Sequence, residues 1–114
     1  MNDLLKKKCA PCEGGILPLD KSEIDKYQKK IDGWAVSENE KKIYCLEKKF
    51  TFKDFINSQN FINKVGEISE EEGHHPDITF GWGYAKVIIT THVIEGLSEN
   101  DFILAAKIDQ IFNV

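Results

Sequence analysis

The sequence contains no apolar run approaching the roughly 18 residues that a membrane-spanning helix needs, and its N-terminus lacks the apolar core of a signal peptide. It also lacks a concentrated basic face, because the net charge is −4 and the lysines are dispersed along the chain. Phosphate binding requires such a face, so we expect no direct nucleic-acid binding. With only three cysteines, an odd number, the chain is not a disulfide framework. These absences predict a cytoplasmic protein.

A second metal-binding or redox pair is also missing. Cys9 and Cys12 form a C-x-x-C pair, but a zinc ribbon needs another C-x-x-C or H-x-x-H, and the sequence has neither. A thioredoxin-like motif should open a helix, whereas Gly14 and Gly15 follow this pair. A structural or incidental role is therefore favoured over a redox centre or an intersubunit metal site.

The composition that is present suits one small globular unit. The chain has 114 residues, 41% of them hydrophobic, which is enough to bury one modest core. We expect residues 1–19 to form an N-terminal extension with the C-x-x-C pair and residues 20–114 to form a single domain.

Three stretches combine a helix-start signal with apolar residues at helical spacing. The capping sequences that open them are Asp20-Lys21-Ser22-Glu23, Thr51-Phe52-Lys53-Asp54 and Ser98-Glu99-Asn100-Asp101. Glycines suited to a left-handed helix end follow the first two stretches, at Gly33 and Gly73. The sequence thus predicts three helices, of which the second runs to about Glu72, and it explains Asp101 as part of a helix cap.

Two pairs of strand-like segments separated by short turns lie between these helices. The predicted strands start at Trp34, run from Ile43 to Phe50, from Ile78 to Trp82 and from Ala85 to Val93. The resulting order is α-β-β-α-β-β-α. It predicts an α+β domain with a four-stranded antiparallel sheet and helices packed on one face.

The histidine doublet at the end of the second helix concentrates the chemistry. Glu70 and His74 are four residues apart, so on a helix the carboxylate can fix the tautomer of the imidazole and raise its basicity. His75 points elsewhere, and Pro76 forces the chain to leave the helix. The alternative is that both histidines only complement the negative end of the helix dipole. His92 taken alone is typical of a packed or partly exposed strand residue.

A metal site is a competing interpretation, because three histidines and Glu70 supply enough ligands for zinc or non-haem iron. The spacing does not favour it. No H-E-x-x-H or H-x-H pattern places two ligands on one side of one element.

The order of these residues resembles a known family, the pterin-4a-carbinolamine dehydratases. The resemblance is carried by His74-His75-Pro76-Asp77-Ile78, Thr90-Thr91-His92, Gly96-Leu97-Ser98 and Asp101. Trp34, the segment at 50–55 and the N-terminal Cys-x-Pro-Cys-x-Gly-Gly resemble bacterial members, so nearly the whole chain is covered. The chain departs from the family at Glu95-Gly96-Leu97, where Gly-Gly-Leu is common, and at Trp82-Gly83, where Tyr-Asn is common. These departures bear on pocket shape and substrate preference.

The resemblance implies a 4a-hydroxytetrahydrobiopterin dehydratase that removes water from the 4a-carbinolamine and gives quinonoid dihydropterin, with no metal and no cofactor. It implies a functional link to an aromatic amino acid hydroxylase and assembly as a homodimer or homotetramer. The catalytic residues it implies are His74, His92, Glu70 and Asp101. We expect substrate binding by His75, Asp77, Trp82 and Thr91.

In the hypothesis that follows, His74 is the general base or proton shuttle, oriented by Glu70, and His92 is the general acid, supported by Asp101. The acid and base labels can be reversed. Histidine suits both tasks because it titrates near neutral pH.

Other functions stay open. Relatives in the resembled family also act as dimerisation cofactors of a homeodomain transcription factor or are linked to Rubisco assembly, so an interaction protein with the same fold is the main alternative. Two further alternatives remain. One is a metal-dependent enzyme, and the other is a dehydratase for another pterin, such as a molybdopterin-related or folate-like compound.

Overall fold

The computed structural model describes residues 3–9 and 17–113, and the predicted order of elements is confirmed in them. The α-helices are α1 (Lys21–Gln28), α2 (Phe55–Glu72) and α3 (Glu99–Phe112). The strands are β1 (Ala35–Glu38), β2 (Tyr44–Thr51), β3 (Asp77–Gly81) and β4 (Tyr84–Ile89). Short 3-10 helices occupy Asp3–Lys6 and His92–Ile94. Cys12, half of the predicted C-x-x-C pair, lies outside the described residues.

The four strands form one antiparallel sheet in the order β1-β2-β4-β3. Side chains alternate between the two faces of a strand, so the register decides which residues share a face. Leu46 pairs with Ile89 and Phe50 with Ala85, and all four are buried. These apolar residues face the helices, which confirms the predicted α+β architecture with helices on one face of the sheet.

The third helix lies at the centre of the core. Its residues from Phe102 to Ala106 are all buried, and they pack with Phe61 and Val65 of α2. Residues 3–9, which we call the N-terminal arm, also reach this core because Leu4 is fully buried in it. None of the helices in the described ranges is long and apolar enough to cross a membrane.

Helix ends follow the predicted capping chemistry with two corrections. Asp20 and Ser98 each form a capping box, with Glu23 and Asp101 at the third helical position. The cap of α2 is Asp54, whose side chain accepts a hydrogen bond from the Asn57 amide. The capping arrangement predicted to begin at Thr51 is wrong in this respect, because Thr51 still pairs in β2. Helix α1 also ends earlier than predicted, at Gln28.

The last strand is shorter than predicted, and this changes the position of His92. Strand β4 ends at Ile89, and Thr91 then forms an isolated bridge with Gly96. The chain between these two residues turns through the short 3-10 helix that starts at His92. The prediction that His92 lies on a strand is therefore wrong.

The bridge partner Gly96 lies close to Pro18. A Cβ atom at Gly96 would lie 2.5 Å from the Pro18 Cβ, so a larger residue could not fit there without displacing Pro18.

Candidate active site

The end of α2 decides where the histidine doublet points. Gly73 follows the last helical residue with φ 65° and ψ 27°, the left-handed conformation that glycine adopts most easily. Its amide and that of His74 both donate to carbonyls of the last helical turn, at Ser69 and Glu70. The chain therefore leaves the helix before the doublet. His74 turns into the protein, where only 6% of its surface is exposed.

The inward turn pairs His74 with Asp101 at the start of α3. Nε2 of His74 lies 2.6 Å from Oδ1 of Asp101, and the aspartate is fully buried. The other carboxylate oxygen accepts hydrogen bonds from the Thr91 hydroxyl and the Ser98 amide, each at 2.8 Å. Because an ionised carboxylate only accepts, this network assigns the shared proton to Nε2. Nδ1 is then the ring nitrogen of His74 that can take up a proton.

Glu70, which we predicted to pair with His74, pairs instead with the other histidine of the doublet, His75. Nε2 of His75 lies 2.6 Å from Oε1 of Glu70, and the side chains are 61% and 79% exposed. The predicted Glu70–His74 pair is therefore wrong. The four-residue spacing brings side chains together only on a continuous helix, and the left-handed Gly73 interrupts it.

The third histidine completes a cleft. His92 is exposed at the start of the 3-10 turn after β4 and lines a cleft of about 210 Å³ together with both residues of the doublet. The remaining lining residues are Gly73, Thr90, Thr91 and Val93. The structure thus gathers all three histidines of the sequence at one place, which we call the histidine cleft. Asp101 was expected to support His92, but its hydrogen bonds go to His74, Thr91 and Ser98.

Of the other three predicted substrate-binding residues, Thr91 lies in the histidine cleft, whereas Asp77 and Trp82 do not line it. Thr91 lines the histidine cleft and also bonds to Asp101. Asp77 is exposed at the first position of β3, shortly after the doublet. Trp82 is 71% exposed in the turn at the other end of the β3–β4 hairpin, which a five-residue strand separates from Asp77 by about 16 Å. Within one chain Trp82 does not line the cleft.

Two lining residues received no role from the sequence. Thr90 is buried, and its hydroxyl group shares its single proton between the carbonyl oxygens of Tyr44 at 2.9 Å and Gly96 at 3.2 Å, so it fixes the loop that follows β4. Its position in the chain, directly before Thr91 and His92, was the sequence signal that could have placed it in the cleft. Val93 is 59% exposed, and nothing in the sequence distinguishes it from a packing residue.

The cleft offers proton transfer at several nitrogen atoms. His74 has a buried carboxylate behind it, whereas His75 has an exposed one and His92 faces solvent. Among the described residues, no three His, Cys, Asp or Glu side chains are grouped closely enough to hold a metal ion.

The fold and the cleft define a class of small α+β domains with a histidine–carboxylate site, and comparison with known proteins identifies the family. The family model for pterin 4 alpha carbinolamine dehydratase matches residues 17–111. The chain therefore belongs to the pterin-4a-carbinolamine dehydratase family.

Curated relatives agree with this assignment. A Rickettsia bellii protein is 50% identical over 111 residues, which cover 96% of this chain and 95% of that protein. A Rubrobacter xylanophilus protein is 42% identical over 111 residues, covering 97% of this chain and all of that protein. Both are named as candidate pterin-4-alpha-carbinolamine dehydratases.

Two solved structures are also similar. The transcriptional coactivator/pterin dehydratase from Brucella melitensis superposes with a TM-score of 0.74 at 26% identity, covering 82% of this chain and 97% of that one. A pterin dehydratase-like protein identified as a RuBisCO assembly factor in the alpha-carboxysome gives a TM-score of 0.59 at 25% identity, covering 69% and 88%.

Proposed function

We propose that the protein dehydrates a 4a-hydroxytetrahydropterin to the quinonoid dihydropterin. The observation that carries the proposal is the convergence of His74, His75 and His92 on one cleft, with a buried carboxylate behind the first. Membership of the pterin-4a-carbinolamine dehydratase family supports the same reaction.

The reaction balances without any other reactant. The C4a–O bond breaks, the N5–H proton leaves, a C4a=N5 double bond forms and water is released. An acid must protonate the departing hydroxyl group, and a base must take the N5 proton. Each positioned proton transfer typically contributes about 10² to 10⁴ in rate, so a pair of histidines can supply the catalysis.

The geometry favours His74 as the base. Asp101 holds Nε2 of this ring, so the free Nδ1 is positioned to accept a proton, and the buried carboxylate stabilises the imidazolium that forms. His92, which also lines the cleft, is the acid that protonates the hydroxyl group. His75, held by Glu70 at the rim, binds and orients the pterin. Asp101 thus takes the orienting role that the sequence gave to Glu70.

The direct test is an assay of 4a-hydroxytetrahydropterin loss with and without the purified protein. We expect acceleration by the wild-type protein and a loss of about 10²-fold in both His74→Ala and His92→Ala. Asp25→Asn, an exposed change on α1, is the control and should retain the full rate. Near-normal rates in both histidine variants would reject the assignment.

In the cell, this activity would recycle a tetrahydropterin used by an aromatic amino acid hydroxylase in the cytoplasm. We further propose that the protein works as a homodimer or homotetramer, which sedimentation equilibrium would test. Comparing biopterin, folate-like and molybdopterin-related carbinolamines as substrates would identify the preferred pterin.

A second candidate function is an interaction role. It is suggested by the structural similarity to the Brucella melitensis coactivator/dehydratase and to the RuBisCO assembly factor. A protein that does not accelerate the loss of any of these carbinolamines would support this role instead.

A further inference from the structure

A second carboxylate lies close to the His74–Asp101 pair and takes no part in the proposed reaction. Glu72 is the last residue of α2, two positions before His74, and its side chain is only 3% exposed. One carboxylate oxygen accepts a hydrogen bond from the backbone amide of Cys9 at 2.8 Å. The other accepts from Nζ of Lys107 at 2.7 Å, and the lysine side chain is 12% exposed. Glu72 therefore joins the N-terminal arm, the end of α2 and helix α3.

The charge state of Glu72 is consistent with this linking role. Burial disfavours the ionised carboxylate, but the hydrogen bonds from Lys107 and from the amide of Cys9 outweigh it and lower the pKa of Glu72 below its usual value. The carboxylate is thus ionised at neutral pH. A buried ion pair is often no more stabilising than apolar side chains of similar volume, so stability alone does not explain its presence.

The geometry gives a more specific explanation. Glu72–Lys107 and His74–Asp101 are two links between the same two segments, and they lie on either side of Gly73. On α3 the two partners are six residues apart, which corresponds to about 9 Å along the helix axis. Two links at that separation fix the direction of the turn that carries His74 as well as its position. With one link removed, only the other link and the backbone hydrogen bonds of Gly73 and His74 to the end of α2 hold the direction of the turn.

The N-terminal arm adds further contacts to the start of α3. The Cys9 thiol donates a hydrogen bond to the carbonyl of Asn100, next to Asp101 in the chain, at a distance of 3.5 Å. Lys7 forms an ion pair with Glu99 at 2.7 Å, and Leu4 is fully buried in the core. The arm therefore contacts both Glu72 and the first turn of α3.

We propose that Glu72 is a positioning residue that, through Lys107 and the Cys9 amide, holds His74 in place against Asp101. It acts through His74 and does not touch the substrate. The expected effect on turnover rests on the proposed dehydratase function, whereas the effect on the His74 ring does not.

The test uses substitutions that remove or keep the link. Glu72→Gln removes the charge, Lys107→Met removes the donor from α3, and Lys107→Arg keeps a cation within reach of the carboxylate. Asp109→Asn is the matched control, because Asp109 forms another largely buried ion pair on the same helix, with Lys48 at 2.8 Å. That pair lies two helical turns beyond Asp101 and outside the histidine cleft. Circular dichroism sets an assay temperature at which every variant is folded.

Two readouts separate positioning from a general loss of stability. The first is the ¹H–¹⁵N correlation spectrum of the imidazole nitrogens, in which the His74 signals are assigned by their disappearance in His74→Ala. The second is steady-state kinetics. We expect Glu72→Gln and Lys107→Met to shift the Nε2 signal of His74 and to lower kcat about tenfold with KM within about twofold, as a slightly misplaced catalytic group would. Lys107→Arg and Asp109→Asn should keep the wild-type signal and kcat.

The proposal is overturned if the His74 signal in Glu72→Gln and Lys107→Met is that of the wild type, whatever happens to the rate. It is also overturned if Asp109→Asn shifts the His74 signal and lowers kcat as strongly as they do, because the effect would then follow stability. A wild-type protein without dehydratase activity would reject the proposed function, and the His74 signal would still decide the positioning role.

Discussion

The imidazole of His74 meets the carboxylate of Asp101 across 27 residues of sequence, with 2.6 Å between Nε2 and Oδ1. The same aspartate closes the capping box at the start of α3 through the Ser98 amide. One carboxylate therefore fixes both a helix start and a histidine ring. The substitution Asp101→Asn separates these two roles. The asparagine side-chain oxygen can still accept the hydrogen bond from the Ser98 amide, but the negative charge beside His74 is lost.

We predict that Asp101→Asn lowers pterin dehydration by about 10²-fold or more, because the charge that stabilises the His74 imidazolium disappears. The helix start should survive, because asparagine can still accept the hydrogen bond from the Ser98 amide. Steady-state kinetics measures the first effect and circular dichroism the second. Asp25→Asn, an exposed change of the same kind on α1, is the control. A rate within twofold of the wild type would contradict the role of the charge.

The exposed pair at the rim of the cleft should behave differently from the buried one. We expect His75→Ala and Glu70→Gln to change the free energy of unfolding by less than about 0.5 kcal/mol, because exposed ion pairs contribute little. If His75 binds the pterin, these variants raise KM more than they lower kcat. Chemical denaturation and initial rates give the two quantities. A fall in kcat at unchanged KM would instead place His75 in the chemical step.

The sequence predicted the elements around this site better than the contacts within it. Capping residues and a glycine have local effects, so the end of α2 at Glu72 and the start of α3 after Ser98 were predicted correctly. The partners of His74 and His75 depend on one left-handed residue, Gly73. Because it interrupts the helix, Glu70 meets His75 and not the residue four positions on. Which of the two rings then meets Asp101 is set by how α2 packs against α3, and no local pattern encodes it.

The same limit applies to the more distant contacts. His92 was expected on a strand because strand-forming residues continue past Ile89 to Val93, but a bridge between Thr91 and Gly96 ends the strand and turns the chain. The ion pair between Glu72 and Lys107 joins residues 35 positions apart, and the amide of Cys9 comes from a third segment. Such contacts depend on tertiary packing, so in sequence they look like ordinary surface charges.

Acid should reduce the contribution of Glu72 to stability. Its pKa in the folded protein lies below the reference value of 4.5, so the ionised carboxylate stabilises the fold above that pH, and this stabilisation is lost as the pH falls through the folded pKa. We expect the difference in free energy of unfolding between wild type and Glu72→Gln to be constant above about pH 6 and to shrink below about pH 4. Urea titrations at several pH values measure it. A difference that grows towards low pH would reverse the sign and contradict the assignment.

The loop that carries His92 contains a strained residue. Glu95 ends the 3-10 turn with φ 53° and ψ 48°, a left-handed conformation that costs a side-chain-bearing residue about 1 kcal/mol or more relative to glycine. Glycine also loses more backbone entropy on folding, so we expect Glu95→Gly to raise the free energy of unfolding by no more than about 1 kcal/mol. Lys42, with φ 63° in the turn between β1 and β2, provides the matched comparison.

Lys42→Gly should give a similar gain in stability and leave the kinetics unchanged, because Lys42 does not line the histidine cleft. Glu95→Gly relaxes the loop three residues after His92, so we expect it to change KM or kcat as well. Parallel urea titrations and kinetics of the two variants separate the relief of backbone strain from the effect on the site. If Glu95→Gly destabilises the protein while Lys42→Gly stabilises it, the Glu95 side chain contributes more than its backbone conformation costs.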